Sequence, residues 1–129
     1  MEALRYRALP ILLASTWISV SEFARNEFFL KSYWLERYAG LGVPWPGDPI
    51  NGALWGIWSV CFAVAIFVIR LRFNRVETIL LSWWMGFVLM WLVTGNMGVL
   101  PLDILVFAIP LSLLETFLAV FILEKMDAR

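Results

Sequence analysis

The chain contains no histidine and a single cysteine, Cys61, and its ten basic residues are matched by ten acidic ones. Each scarcity closes off a class of function. Without histidine and with one thiol, zinc and haem sites lack their usual ligands, and no carboxylate pair stands at metal-ligand spacing. Cys61 has no partner for an internal disulfide and lies within an apolar run, so it reads as a small packing residue. A formal net charge of zero supplies no field that would gather nucleic acid. Neither a Gly-x-Ser-x-Gly elbow nor a phosphate loop occurs, so enzyme chemistry is not expected. No catalytic residue, metal or cofactor is assigned.

What fills the 129 residues instead is apolar: 62% are hydrophobic and 16% aromatic, with a mean hydropathy of +0.82. That composition lies far outside the soluble globular range and is that of an integral membrane protein. The length accommodates about four spans of roughly 20 residues each, with short connections. The expectation is therefore one membrane domain, an all-α bundle of four transmembrane helices over residues 8–30, 50–69, 76–94 and 102–123. Barrel strands would show short alternating segments, which are missing here. Residues 39–50 are rich in proline and glycine and form the outer loop, with Trp45 at headgroup level. Pro110 should bend the last span.

The first span is the unusual one. Its apolar run, Ala8 to Ser21, is short, and Arg5 and Arg7 close it off on one side. The missing length can come only from the charged stretch Glu22-Phe23-Ala24-Arg25-Asn26-Glu27. At 1.5 Å per residue Glu22 stands roughly 21 Å above Ala8, within a hydrocarbon core of about 30 Å. No glycine or proline separates Ile11 from Ala39, so this helix is expected to continue unbroken past Tyr33 and Tyr38, longer than the bilayer is thick. A signal peptide is the competing account of this segment, but a glutamate directly after Ser19-Val20-Ser21 is a weak cleavage cue.

Basic residues divide unevenly between the two sides of such a bundle. Arg5, Arg7, Arg70, Arg72, Arg75, Lys125 and Arg129 fall on one, Lys31 and Arg37 on the other. By the positive-inside rule both termini are cytoplasmic, in a plasma membrane of the bacterial inner type. Arg70, Arg72 and Arg75 also suit anionic lipid.

Small residues recur at helical spacing in the later spans: Gly52, Gly56, Ser59 and Ala63; Thr78, Ser82 and Gly86; Ala108, Ser112, Glu115 and Ala119. Such stripes let helices approach closely, within one bundle or between copies, so a homo-oligomer or a partner membrane protein is an open expectation. In span one, Ser15, Ser19, Glu22 and Asn26 fall on one face with Arg25 beside Glu22. Ionisable groups at bilayer depth are costly and usually mark function or a structural partner. Glu22 and Arg25, three apart, can pair, with Asn26 and the hydroxyl of Ser19 or Ser59 completing a network. Asn51 and Asn96, at the outer ends of spans two and three, are the expected neighbours of this pocket. Glu27 faces away and pairs with Lys31.

Glu115 is the second intramembrane acid, with no basic residue within four positions. Counting along span four places it about 9 Å from Glu22 in depth. Two staggered acids joined by Ser15 and Ser19 outline a proton or ion path, against the blander reading of interhelical hydrogen-bonded glue. The eight tryptophans are accounted for by interface anchoring and packing.

In size and in carrying an acid in its first helix the chain looks superficially like the small multidrug resistance transporters, four-helix dimers that export cations against protons. Arg25 beside the acid and the stretch Leu81-Ser82-Trp83-Trp84-Met85-Gly86-Phe87 depart from that family's pattern, so the likeness is one of analogy. The leading functional expectation is translocation of a small solute, ion or proton through an outward-facing polar pocket. The alternatives are an accessory subunit of a larger membrane complex, or a binder of lipid headgroups.

Overall fold

A computed structural model describes the backbone of residues 2–126 and the side chains of residues 6–126. Among the described residues the structure is all-helical, without strands. Helix α1 runs Glu2–Phe23 and passes into a π-helical segment, Ala24–Phe29; α2 spans Lys31–Leu41, α3 Pro49–Arg70, α4 Arg75–Trp83, α5 Leu89–Asn96 and α6 Leu105–Met126. A second π-helical segment, Trp84–Val88, joins α4 to α5, and a 3-10 turn, Leu102–Ile104, leads into α6. Arg129, counted among the cytoplasmic charges, lies outside the described residues.

Local sequence explains most boundaries. Pro49 opens α3 after Asp48, where a missing N–H costs nothing because the first helical amides have no partner. At α4 the Asn74 side chain accepts from the Glu77 N–H at 2.9 Å, and the Glu77 carboxylate accepts from the Asn74 N–H at 3.1 Å. This reciprocal capping box fixes the turn after α3. Gly42, at φ 73°, ends α2 in the left-handed region, with Val43 N–H donating to Tyr38 O. Helix α6 continues through Pro110 without interruption.

Three helical stretches, Pro49–Arg70, Arg75–Asn96 and Leu102–Met126, are long and apolar enough to cross a membrane. They correspond to the second, third and fourth expected spans. The first helix is outside that set, because Glu22, Arg25, Asn26 and its serines dilute its apolar run. It also does not continue as a single rod. Leu30 leaves the helical region at φ −112°, ψ 2°, and α2 starts anew. The cause is tertiary: Leu30 is buried against Leu100, Ile104 and Ala108, a contact that a straight helix past Phe29 would have to give up.

Packing is inside-out relative to a water-soluble protein. Leu54, Ile57, Val68, Leu80, Leu92, Val106 and Leu114 are exposed, whereas Ser15, Ser59, Thr78, Ser82, Ser112 and Thr116 are buried. Such a distribution suits a membrane protein, whose solvent is hydrocarbon. Helix α1 packs most extensively on α3 and α6, α4 lies against both α3 and α6, and α3 and α6 also meet. Buried hydroxyls turn back on their own helices: Ser15 donates to Leu12 O, Ser59 to Trp55 O, Ser112 to Ile109 O and Thr116 to Ser112 O, at 2.9 to 3.1 Å. Satisfied in this way, they serve as small spacers between helices.

The small-residue stripes divide. Ser59, Ala63, Thr78, Ser82, Ala108, Ser112 and Ala119 are buried in the bundle. Gly52 and Gly56 have open space where a Cβ would stand. Gly86 is the tight position: a Cβ there would lie 2.6 Å from Cε2 of Phe62, whose ring stacks on Trp58. Replacing Gly86 with valine is expected to lower stability by about 1–3 kcal/mol through overpacking. Gly52→Ala should instead leave stability unchanged or raise it by up to about 1 kcal/mol through helix propensity. Thermal unfolding of both variants in mild detergent measures the contrast.

Candidate functional site

The polar face of the first helix and the middle of α6 converge on one cluster. Arg25 Nη2 donates to Glu22 Oε1 at 2.5 Å, with both side chains nearly fully buried. Asn26 Nδ2 donates to Glu22 Oε2 at 3.0 Å and to the Glu22 main-chain oxygen at 3.1 Å. Trp34, from α2, donates its indole N–H to Asn26 Oδ1 at 3.2 Å. On the other side Arg25 Nη1 stands 3.9 Å from Glu115 Oε1, too long for a hydrogen bond. Ser21 stands near the Glu115 side chain as well, beside Glu22 and Arg25.

Arg25 reaches Glu115 because helical side chains lean toward the N-terminus of their own helix, and because the π-helical turn re-aims the residues that it carries. The stagger of about 9 Å counted along ideal helices is thereby bridged by the length of an arginine, and the two acids share one guanidinium instead of standing as separate stations. The backbone of α6 is tied to α1 at the same place, where the Trp17 indole donates to Glu115 O at 2.9 Å.

The guanidinium also has a face. Arg25 Cζ lies 5.3 Å from the ring centroid of Phe87, a cation–π arrangement in a buried setting. Phe87 is fully buried and belongs to the second π-helical segment. Its ring meets Phe62 edge-on at 5.5 Å and Trp91 at 5.9 Å. Both π-helical segments therefore deliver residues to the cluster, Arg25 and Asn26 from one and Phe87 from the other. Interruptions of this kind recur at functional sites.

Polar satisfaction is incomplete. Arg25 Nη1, both carboxylate oxygens of Glu115 and Ser82 Oγ are buried without a hydrogen-bond partner. Native proteins rarely leave such atoms unpaired, since each costs about 1–3 kcal/mol or more when charged.

Of the residues expected to build the site, Glu22, Arg25, Asn26 and Glu115 come together. Ser15 and Ser59 are buried but spend their hydroxyls on their own helices. Ser19 is half-buried on α1, Asn51 half-buried at the start of α3 and Asn96 exposed at the end of α5. Among the described residues none of these three bonds to the cluster. Glu27 pairs with Lys31 at 2.9 Å, apart from the cluster, as the sequence suggests. Trp34 and Phe87 were not foreseen. Trp34 stands eight residues beyond Asn26 and reaches it only because the chain breaks at Leu30, and nothing in the sequence separates Phe87 from the other buried aromatics. Among the described residues no group of three histidine, cysteine or acidic side chains is placed to hold a metal ion.

No family model, curated protein or solved structure matches the chain.

Removal of the guanidinium in Arg25→Met would leave two buried carboxylates facing each other, with an expected loss of about 3–5 kcal/mol. Adding Glu22→Gln and Glu115→Gln to that variant should restore most of the loss. Chemical denaturation of the single and triple variants in detergent checks the pattern.

Proposed function

We propose that the protein is a four-span, multi-pass membrane protein that moves a proton or a small ion through its bundle, with Glu22, Arg25, Asn26 and Glu115 as the station. The first helix is the fourth span, its polar face turned inward onto α3 and α6. Both termini are cytoplasmic, on the side of Arg70, Arg72 and Arg75, by the bias of basic residues.

One observation carries the translocation reading. Two buried carboxylates face one buried guanidinium, and the guanidinium nitrogen nearest Glu115 and both Glu115 oxygens have no hydrogen-bond partner. An excess negative charge in hydrocarbon is costly, so a proton or a cation joins the cluster and neutralises it. When the proton resides on Glu115, Arg25 pairs with Glu22 alone; when the proton departs, Arg25 is drawn toward Glu115 across the present gap. The movement of one long side chain thus couples proton occupancy to the pairing of α1 with α6. Asn26 steadies Glu22 during the exchange, and Trp34 caps the cluster on the outer side. In this reading Ser15, Ser19 and Ser59 belong to the route inward, and Asn51 and Asn96 to its outer end.

A second reading is supported by Gly52 and Gly56, two small residues one helical turn apart on α3 with open space above them. A helix from another chain fits there, which suits an accessory subunit or a homo-oligomer.

Reconstituted in liposomes, the protein should dissipate an imposed pH gradient, reported by an internal dye. Glu22→Gln and Glu115→Gln should each reduce the flux to that of empty vesicles. No flux from the unmodified chain under any gradient, with a fixed partner co-purifying, would replace translocation with the accessory role. The topology has its own test. In a Cys61→Ser background, a cysteine at Gly47 should react with an impermeant thiol reagent from outside intact cells, and one at Asn74 only after lysis.

A further inference from the structure

Beyond the buried cluster, α2 and the turn into α6 border an open cleft of about 440 Å3 lined by Tyr33, Glu36, Arg37, Leu41, Leu102 and Asp103, among others. Its volume falls within the roughly 300–1,000 Å3 of small-ligand sites. Tyr33 is held at its wall by contact with Phe107, ring centroids 6.4 Å apart. Three charged side chains line the cleft, yet none of them forms a salt bridge with a described residue. Elsewhere exposed charges do pair, as Arg75 does with Glu124 at 2.8 Å. One guanidinium and two carboxylates held around a concavity without neutralising one another present both signs to whatever enters.

That sign pattern selects the ligand. An anion alone would bind Arg37 against the repulsion of Glu36 and Asp103; a cation alone would bind the acids against Arg37. A zwitterion satisfies all three. Leu41 and Leu102 are exposed and supply an apolar margin, which a soluble zwitterion would not use and the glycerol and first methylenes of a lipid would. We infer that this cleft seats the headgroup of an aminophospholipid, with the phosphate on Arg37 and the primary ammonium between Glu36 and Asp103. The inference rests on the proposed span arrangement, which puts α2 at headgroup level, and is independent of whether the buried cluster moves protons. A primary ammonium donates hydrogen bonds to carboxylates and a quaternary one does not, so ethanolamine is preferred over choline.

The test is lipid retention. The protein is reconstituted in nanodiscs of equal parts phosphatidylethanolamine, phosphatidylcholine and phosphatidylglycerol, released into mild detergent, and its bound lipid counted by native mass spectrometry. Phosphatidylethanolamine should be retained over both others, and Arg37→Gln and Asp103→Asn should each weaken it roughly tenfold, the loss of one charge-assisted bond. Glu36→Gln provides a second acidic variant at an exposed position, and circular dichroism verifies that all three fold. Free phosphoethanolamine should displace the retained lipid and inorganic phosphate should not. Equal retention of the three lipids, retention of phosphatidylglycerol in preference, displacement by phosphate, or a preference untouched by all three variants overturns the assignment. Glu22→Gln should leave retention unchanged, which separates failure of this site from failure of the translocation reading; thiol labelling at Gly47 checks the span arrangement separately.

Discussion

A single guanidinium, Arg25, is the constraint around which the bundle is arranged. It binds Glu22 one turn back on its own helix, approaches Glu115 on α6 and lies over the ring of Phe87. Three helical segments distant in sequence thus meet at one charge. Removing it from that setting would leave two buried acids with no cation beside them, so the pairing of the first helix with α6 is tied to electrostatics as much as to the contacts of Ala14 and Ile18. The local backbone serves that meeting: Arg25 and Phe87 both lie in π-helical turns, where the wider ladder rotates a side chain away from its regular position.

Around that centre, the remaining contacts are small and self-contained. The hydroxyls of Ser15, Ser59, Ser112 and Thr116 return to carbonyls of their own helices, and Gly86 removes a Cβ that would collide with Phe62. Close approach follows from size and not from strong interhelical hydrogen bonds. The bonds that do cross between helices come from Arg75 to Glu124 at one end and from indole N–H groups within the bundle, Trp17 to Glu115 O and Trp83 to Ser112 Oγ, both at 2.9 Å. Tryptophans assigned from sequence to anchoring and packing therefore also supply cross-bundle donors, because an indole brings a large apolar surface and one N–H that must be satisfied.

How much was legible in the sequence depended on the kind of signal. Apolar runs bounded by the proline and glycine loop before Ile50, by Arg70 to Arg75 and by Pro101 located three helices to within a few residues, since length and breakers are written locally. Glu22, Arg25 and Asn26 were readable as a group because helical spacing alone puts them within reach. The partnership of Arg25 with Glu115 was not, because ideal rise per residue cannot register side-chain length or a π-helical turn. Nor was the break at Leu30. That residue has no glycine or proline beside it, and its departure reflects burial against Leu100 and Ile104, information held some seventy residues away in the chain.

The uneven polarity of the helices bears on biosynthesis. A nascent segment leaves the translocon sideways only if its own transfer into lipid is favourable, and a centrally placed arginine or acid opposes that step by about 2.5–3.5 kcal/mol. The helix carrying Glu22 and Arg25 precedes α6, and with it Glu115, by some ninety residues of chain. In the folded chain its buried charges are therefore covered in part by a segment made much later, since α6 brings Glu115 beside Arg25.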